Sequence, residues 1–163
     1  MKRAGEDASG GAHFPRLLVV LHGPNLNLLG ERPAEHYGTL TLPELESLVA
    51  HEARRLGWDC LCFQTNHEGV YIDYIHEYRN AGALLVNPGA WTHYSYAIHD
   101  ALELVRCPVA EVHLSEVSKR ESWRRHSVIT PVATFVVSGK GAEGYLEAVR
   151  RLISLAEMRP RGD

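Results

Sequence analysis

Leu17-Leu18-Val19-Val20-Leu21-His22-Gly23-Pro24-Asn25 is the stretch that decides the fold. Five consecutive apolar residues leave no polar face, so the run reads as a strand covered on both sides. It stops in a polar, turn-forming cluster. The same pairing recurs along the chain. Cys60–Phe63 runs into Gln64-Thr65-Asn66-His67-Glu68-Gly69, and Leu84–Val86 into Asn87-Pro88-Gly89-Ala90-Trp91-Thr92-His93. Val109–Leu114 ends in Glu111-Val112-His113-Leu114-Ser115, and Val132–Val137 runs into Ser138-Gly139-Lys140-Gly141. Helical stretches separate these runs. The alternation predicts an α/β fold whose five-stranded parallel sheet carries helices on both faces.

The helices are read from caps and periodicity. Thr41-Leu42-Pro43-Glu44 is a capping box, and Leu42, Leu45, Leu48, Val49 and Ala53 carry a helical stripe to Gly57. Val70, Ile72, Ile75 and Tyr78 predict a helix that Gly82 ends. Ser95–Val105 has a small apolar face, Arg120–His126 reads as one short helix, and Gly144–Leu155 closes the chain.

With 163 residues, 45% hydrophobic, the chain supports one domain with a sizeable core. We assign residues 16–157 to that domain, 1–15 to a disordered N-terminal tail and 158–163 to a C-terminal tail. A net charge of −3 with no basic stripe argues against nucleic acid. No stretch is long enough to span a membrane, and Met1–Pro15 lacks the apolar core of a signal peptide. With Cys60 and Cys62 alternating on one strand face, the three cysteines fit reduced, structural roles, and a cytoplasmic protein is expected.

Open parallel sheets bind ligands at the carboxyl ends of their strands, where the five polar clusters converge. A single small-molecule site is expected there. Arg32 and Tyr37 stand five apart in the loop from Gly23 to Gly38. A phenol loses its proton near pH ~10, and a fixed positive charge beside it favours the phenolate. Taken alone, the pair is either a base built from tyrosine or two side chains of a surface loop that never meet. Glu111 and His113, at strand spacing, face the same way. The carboxylate either orients the imidazole as a proton donor or merely satisfies a strand-end histidine. Ser115 and the backbone around Leu114 make a carboxylate nest. Arg120 and Arg124, four apart, would share a helix face, where either one of them grips an anionic or hydroxylated ligand or both are solvated.

Other chemistries fit less well. Gly139-Lys140-Gly141-Ala142-Glu143-Gly144 matches the dinucleotide pattern, but no second strand with an acidic ribose ligand follows. Ten histidines include no His-x-x-x-His pair beside a carboxylate, so no metal site is expected. There is no Gly-x-Ser-x-Gly elbow. None of Lys2, Lys119 and Lys140 sits in an apolar stretch suited to a Schiff base.

Assembled, these segments resemble type II 3-dehydroquinate dehydratase. The resemblance is carried by Gly23-Pro24-Asn25-Leu26-Asn27-Leu28-Leu29-Gly30 with Arg32 and Tyr37-Gly38, and by Gln64-Thr65-Asn66-His67-Glu68-Gly69. Asn87-Pro88-Gly89-Ala90, Thr92-His93, Asp100, Glu111-Val112-His113, Ser115, Arg120-Glu121, Arg124 and Gly144-Tyr145 extend it. It spans Leu17 to Leu152, in the family's order and close to its spacing. It implies a flavodoxin-like, three-layer fold and a dodecamer of four trimers. It implies a lyase of the shikimate pathway or of quinate breakdown that removes water from 3-dehydroquinate through an enolate. Neither metal nor organic cofactor is implied.

By position, Tyr37 would be the base and Arg32 its phenolate partner. Asn25 would stabilise the enolate through a held water. His113, oriented by Glu111, would protonate the leaving hydroxyl. Asn87, Leu114 and Ser115 would bind the carboxylate, and His93, Arg124 and Asp100 the ring hydroxyls, with Asp100 reaching a neighbouring subunit's site.

Two departures stand out. Pro33 follows Arg32 directly, where the family usually places Glu or Gln between them, and this can change the path of the segment with Arg32 and Tyr37, which the resemblance makes a lid over the bound substrate. Glu116 replaces the usual Asn beside the carboxylate site, where its charge opposes an anion unless it turns away or pairs with Arg120 or Lys119. A flavodoxin-like nucleotide or flavin module is the main competing class. It calls for a Ser/Thr/Gly-rich phosphate loop after strand one, where this chain has Gly-Pro-Asn-Leu-Asn. A ligand-free structural protein would leave the five polar clusters unexplained.

Overall fold

The computed structural model describes residues 13–159. The apolar runs form β1 (Phe14–His22), β2 (Asp59–Gln64), β3 (Ala81–Asn87), β4 (Val109–His113) and β5 (Phe135–Ser138). All neighbouring strands pair parallel, in the order β2-β1-β3-β4-β5. That is the flavodoxin-like order, which reverses between β1 and β3 and opens a crevice outside their carboxyl ends.

Among the described residues, four helices cover the sheet, α2 (Leu42–Arg55), α3 (Glu68–Glu77), α4 (Tyr96–Glu103) and α5 (Gly141–Met158), while the short α1 (Ala34–Tyr37) buries no side chain. Strand alternation divides the core in two. Leu18, Val20, Leu85 and Val112 face α2 and α5, where Tyr145, Ala148, Val149, Leu152 and Ile153 form a stripe at helical spacing. Leu17, Val19, Leu21, Leu84 and Val86 face α3 and α4 through Tyr71, Ile75, Ile98 and Leu102. The three layers agree with the sequence reading. So does the Thr41–Glu44 capping box, whose backbone N–H groups are taken reciprocally by the two side chains at 2.8 and 3.4 Å.

Several details differ from expectation. β1 begins at Phe14, inside the stretch assigned to the N-terminal tail, and α5 runs through Met158. The rest of both tails, 1–12 and 160–163, lies outside the described residues. Gly82 ends no helix. It lies in β3, where a Cβ would come within 2.4 Å of the Trp58 ring and 2.7 Å of the Pro15 carbonyl. Arg120–His126 is not one helix. Two 3₁₀ turns, Val117–Lys119 and Ser122–Arg124, flank an extended Arg120 with φ −88° and ψ −177°. Thr130–Val132 is likewise a 3₁₀ turn, so β5 starts at Phe135.

Candidate active site

The loops after β1, β3 and β4 meet over the crevice. Gly23 makes this approach possible, because a Cβ there would lie 2.3 Å from the Pro88 carbonyl of the β3 loop. Asn25, two residues on, adopts a left-handed φ of 66°, uncommon for a non-glycine residue. The β2 loop holds it there. Asn66 Oδ1 accepts the Asn25 backbone N–H at 2.9 Å, and Gln64 Nε2 donates to Asn66 Oδ1 and the Gly23 carbonyl, each at 3.1 Å.

Asn25, Arg32, Tyr37, Asn87, His93, His113, Leu114, Ser115 and Arg124 line one pocket. Glu111 stands directly behind His113. Asp100 does not line the pocket of its own chain; it lies exposed on α4, grouped with His99 and Glu103.

On one wall, Arg32 Nη2 donates to the Tyr37 hydroxyl at 2.8 Å, and its guanidinium covers the phenol ring 3.8 Å from the centroid. Pro33 precedes α1 and leaves this pairing intact. A second cation joins them, one that the sequence reading placed on a helix face with Arg124 rather than beside Tyr37. Arg120 Nη1 lies 3.4 Å from the Tyr37 hydroxyl and 3.4 Å from Ser115 Oγ. Its reach depends on the extended backbone between the two turns, not on the helical spacing with Arg124.

On the other wall, Glu111 is fully buried in the middle of β4. His113 Nε2 bonds its Oε1 at 2.7 Å, Ser127 Oγ donates to Oε1 at 2.8 Å, and Thr130 Oγ1 to Oε2 at 2.5 Å. Thr92 Oγ1 donates as well. Burial alone would push the Glu111 carboxyl up, but the bond and charge of His113, with Thr130 and Thr92, hold it below the usual carboxylate range. The hydroxyls were missed in the sequence because Ser and Thr around a carboxylate follow no spacing rule. A carboxylate only accepts, so Nε2 of His113 carries the hydrogen and Nδ1 is left for the pocket.

His93 Nδ1 bonds the His126 carbonyl at 2.7 Å. A carbonyl cannot donate, so Nδ1 bears the hydrogen and Nε2 is the acceptor. Burial lowers the His93 pKa, with the nearby His113 and Arg124 adding to it, against the bond to the His126 carbonyl. Trp123 meets His93 edge-on at 5.4 Å and lies under the Arg124 guanidinium at 4.1 Å. Glu116 turns from the pocket. Its Oε1 accepts from Ser118 Oγ at 2.9 Å and from Ser138 Oγ at 3.2 Å, and these bonds keep its carboxyl below the usual range.

The fold and site define an α/β protein whose pocket opposes an arginine-bound phenol to a carboxylate-bound imidazole. The family model for class II dehydroquinase matches residues 16–153. The 3-dehydroquinate dehydratase of Pelotomaculum thermopropionicum is 48% identical over 140 residues, covering 85% of this chain and 97% of that protein. That of Cereibacter sphaeroides is 50% identical over 139 residues, covering 85% and 95%. Among solved structures, the type II dehydroquinase from Propionibacterium acnes superposes with a TM-score of 0.83 at 37% identity, covering 88% of this chain and 99% of that one. The chain belongs to the class II dehydroquinase family.

Proposed function

We propose that this protein removes water from 3-dehydroquinate to give 3-dehydroshikimate through an enolate, the step shared by aromatic biosynthesis and quinate breakdown. The observation that carries the reading is the pairing of the Arg32–Tyr37 contact with the His113–Glu111 pair across one pocket. The C2 hydrogen, next to the C3 ketone, is weakly acidic. Tyr37 as phenolate takes it, with Arg32 and Arg120 as its fixed counter-charges. Negative charge moves to the C3 oxygen, where Asn25 stabilises the enolate through a held water. The enolate reforms the ketone, the C1–C2 double bond forms, and the C1 hydroxyl leaves as water with a proton from His113. Glu111 orients His113 and balances its positive charge before transfer. Asn87, Leu114 and Ser115 hold the carboxylate. His93 accepts from a ring hydroxyl through Nε2, and Arg124 donates to another.

The assembly is a dodecamer of four trimers in the cytoplasm, in which Asp100 completes a neighbour's site. The exposure of Asp100 on α4, away from its own pocket, supports this arrangement. No helix among the described residues is long and apolar enough to cross a membrane. Residues 16–157 act as the single catalytic domain.

The test is absorbance of the conjugated product on adding 3-dehydroquinate. Turnover that resists chelator, and resists borohydride added with substrate, supports an enolate. Covalent trapping at Lys140 or Lys119 would replace it with an imine. No turnover at all would sink the assignment.

A further inference from the structure

Asn87 ends β3 at the floor of the pocket, paired in register with His22 of β1. It is only 4% exposed. Oδ1 accepts the Gly89 backbone N–H at 3.1 Å, and Nδ2 donates to the Tyr145 hydroxyl at 2.7 Å. A backbone N–H only donates, so Gly89 fixes which atom of the amide is oxygen. The Tyr145 hydroxyl must then accept, and one Nδ2–H is left to face a ligand.

Tyr145 lies fully buried in α5 on the α2/α5 side of the sheet. Its ring stacks on His22, with centroids 5.8 Å apart and 24° between planes. His22 Nδ1 lies 3.3 Å from Glu46 Oε1, yet neither ring nitrogen has a well-formed hydrogen bond. His22 therefore packs the phenol ring without engaging its hydroxyl. Burial pushes the Tyr145 phenol up, so the hydroxyl stays neutral.

We propose that Tyr145 is a positioning residue that determines ligand specificity: by accepting one Nδ2–H, its hydroxyl locks the Asn87 amide so that the pocket meets a donor, selecting a carboxylate over the corresponding carboxamide. The proposal rests on the dehydratase reading for the identity of that carboxylate. Without the hydroxyl, a buried N–H loses its partner and only the Gly89 N–H holds the amide, which can then swing about that one bond. The donor facing the ligand loses its fixed direction.

The test compares wild type, Tyr145→Phe and Leu152→Ala. Leu152 lies seven residues further along the same helix, in the same core cluster, so its truncation loosens the packing without removing the hydroxyl. KM and kcat are measured with 3-dehydroquinate, and calorimetry gives Kd for the product and for its carboxamide. Tyr145→Phe is expected to raise KM about tenfold while kcat stays within about twofold, and to cut the carboxylate preference about tenfold. Leu152→Ala is expected to keep the preference at the wild-type value. An unchanged preference in Tyr145→Phe, or an equal loss in Leu152→Ala, overturns the proposal. So does wild type that binds product and carboxamide equally, a readout that needs no variant to fold. Failure of the dehydratase reading shows separately, as wild type without turnover.

Discussion

Tyr37 ends a four-residue helix in which no side chain is buried, whereas His113 ends a strand that is buried along its whole length. The phenol's hydrogen-bond partners are two arginines, one at 2.8 Å and one at 3.4 Å. The imidazole leans on a carboxylate that also takes three hydroxyl groups. The proposed base is thus mounted on a segment with little to lose on opening, and the proposed acid on a fully buried strand. This suits the chemistry. A lid can admit substrate and close over it, excluding water around the phenolate. The donor meets a poor leaving group and gains from fixed orientation.

The comparison predicts opposite trade-offs. Tyr37→Phe removes only a hydroxyl on the lid. Turnover should fall by ~10³-fold or more, with substrate affinity by calorimetry and thermal stability nearly unchanged. Near-normal turnover in the folded variant would remove Tyr37 as the base. Arg32→Ala, on the same lid, should slow turnover by ~10²-fold while changing stability by less than about 0.5 kcal/mol.

Glu111→Ala strikes the rigid wall. It strands His113 and the hydroxyls of Thr92, Ser127 and Thr130 without their acceptor. Denaturant unfolding should show a loss of about 3 kcal/mol along with the loss of turnover. A variant as stable as wild type would mean that the two walls do not differ as described.

Acid should separate the walls more gently. The Glu111 carboxyl is held below its ordinary value of 4.5 in the folded state. Its contribution to stability is therefore full above that value and disappears as pH falls through the lower folded value. Wild type should lose stability below pH 4.5 more steeply than Glu111→Gln, which has no proton to gain. Parallel acid curves would contradict this.

The smallest effect concerns Asp100. Tyr37→Phe and Asp100→Asn should each be inactive, and their co-expression should restore a minority of sites that join an intact Tyr37 to a neighbour's intact Asp100. A purified mixed oligomer no more active than the two variants alone would place Asp100 outside the shared site.

Much of this architecture was legible in the sequence because local rules carried it. The apolar runs ending in polar clusters marked the strands, the Thr41–Glu44 box marked the start of α2, and the spacing of Glu111 and His113 put both on one side of β4. Other features depend on contacts between distant segments. Gly82 reads as a helix terminator until Trp58 is seen packed against it. Arg120 and Arg124 read as one helix face because their spacing is helical, but the chain is extended at Arg120 and brings that guanidinium to Tyr37, 83 residues away. The hydroxyls around Glu111 come from two separate segments, Thr92 after β3 and Ser127 with Thr130 after β4, and no pattern links them to the carboxylate.

The most direct test of the division between the walls is hydrogen exchange at C2 of 3-dehydroquinate in deuterated water, followed by NMR for wild type, Tyr37→Phe and His113→Asn. The proposed mechanism gives abstraction to the lid wall and departure of the hydroxyl to the buried wall. His113→Asn should therefore exchange the C2 hydrogen while forming almost no product, and Tyr37→Phe should do neither. Exchange that persists in Tyr37→Phe, or that vanishes in a folded, substrate-binding His113→Asn, would contradict the assignment of base and acid.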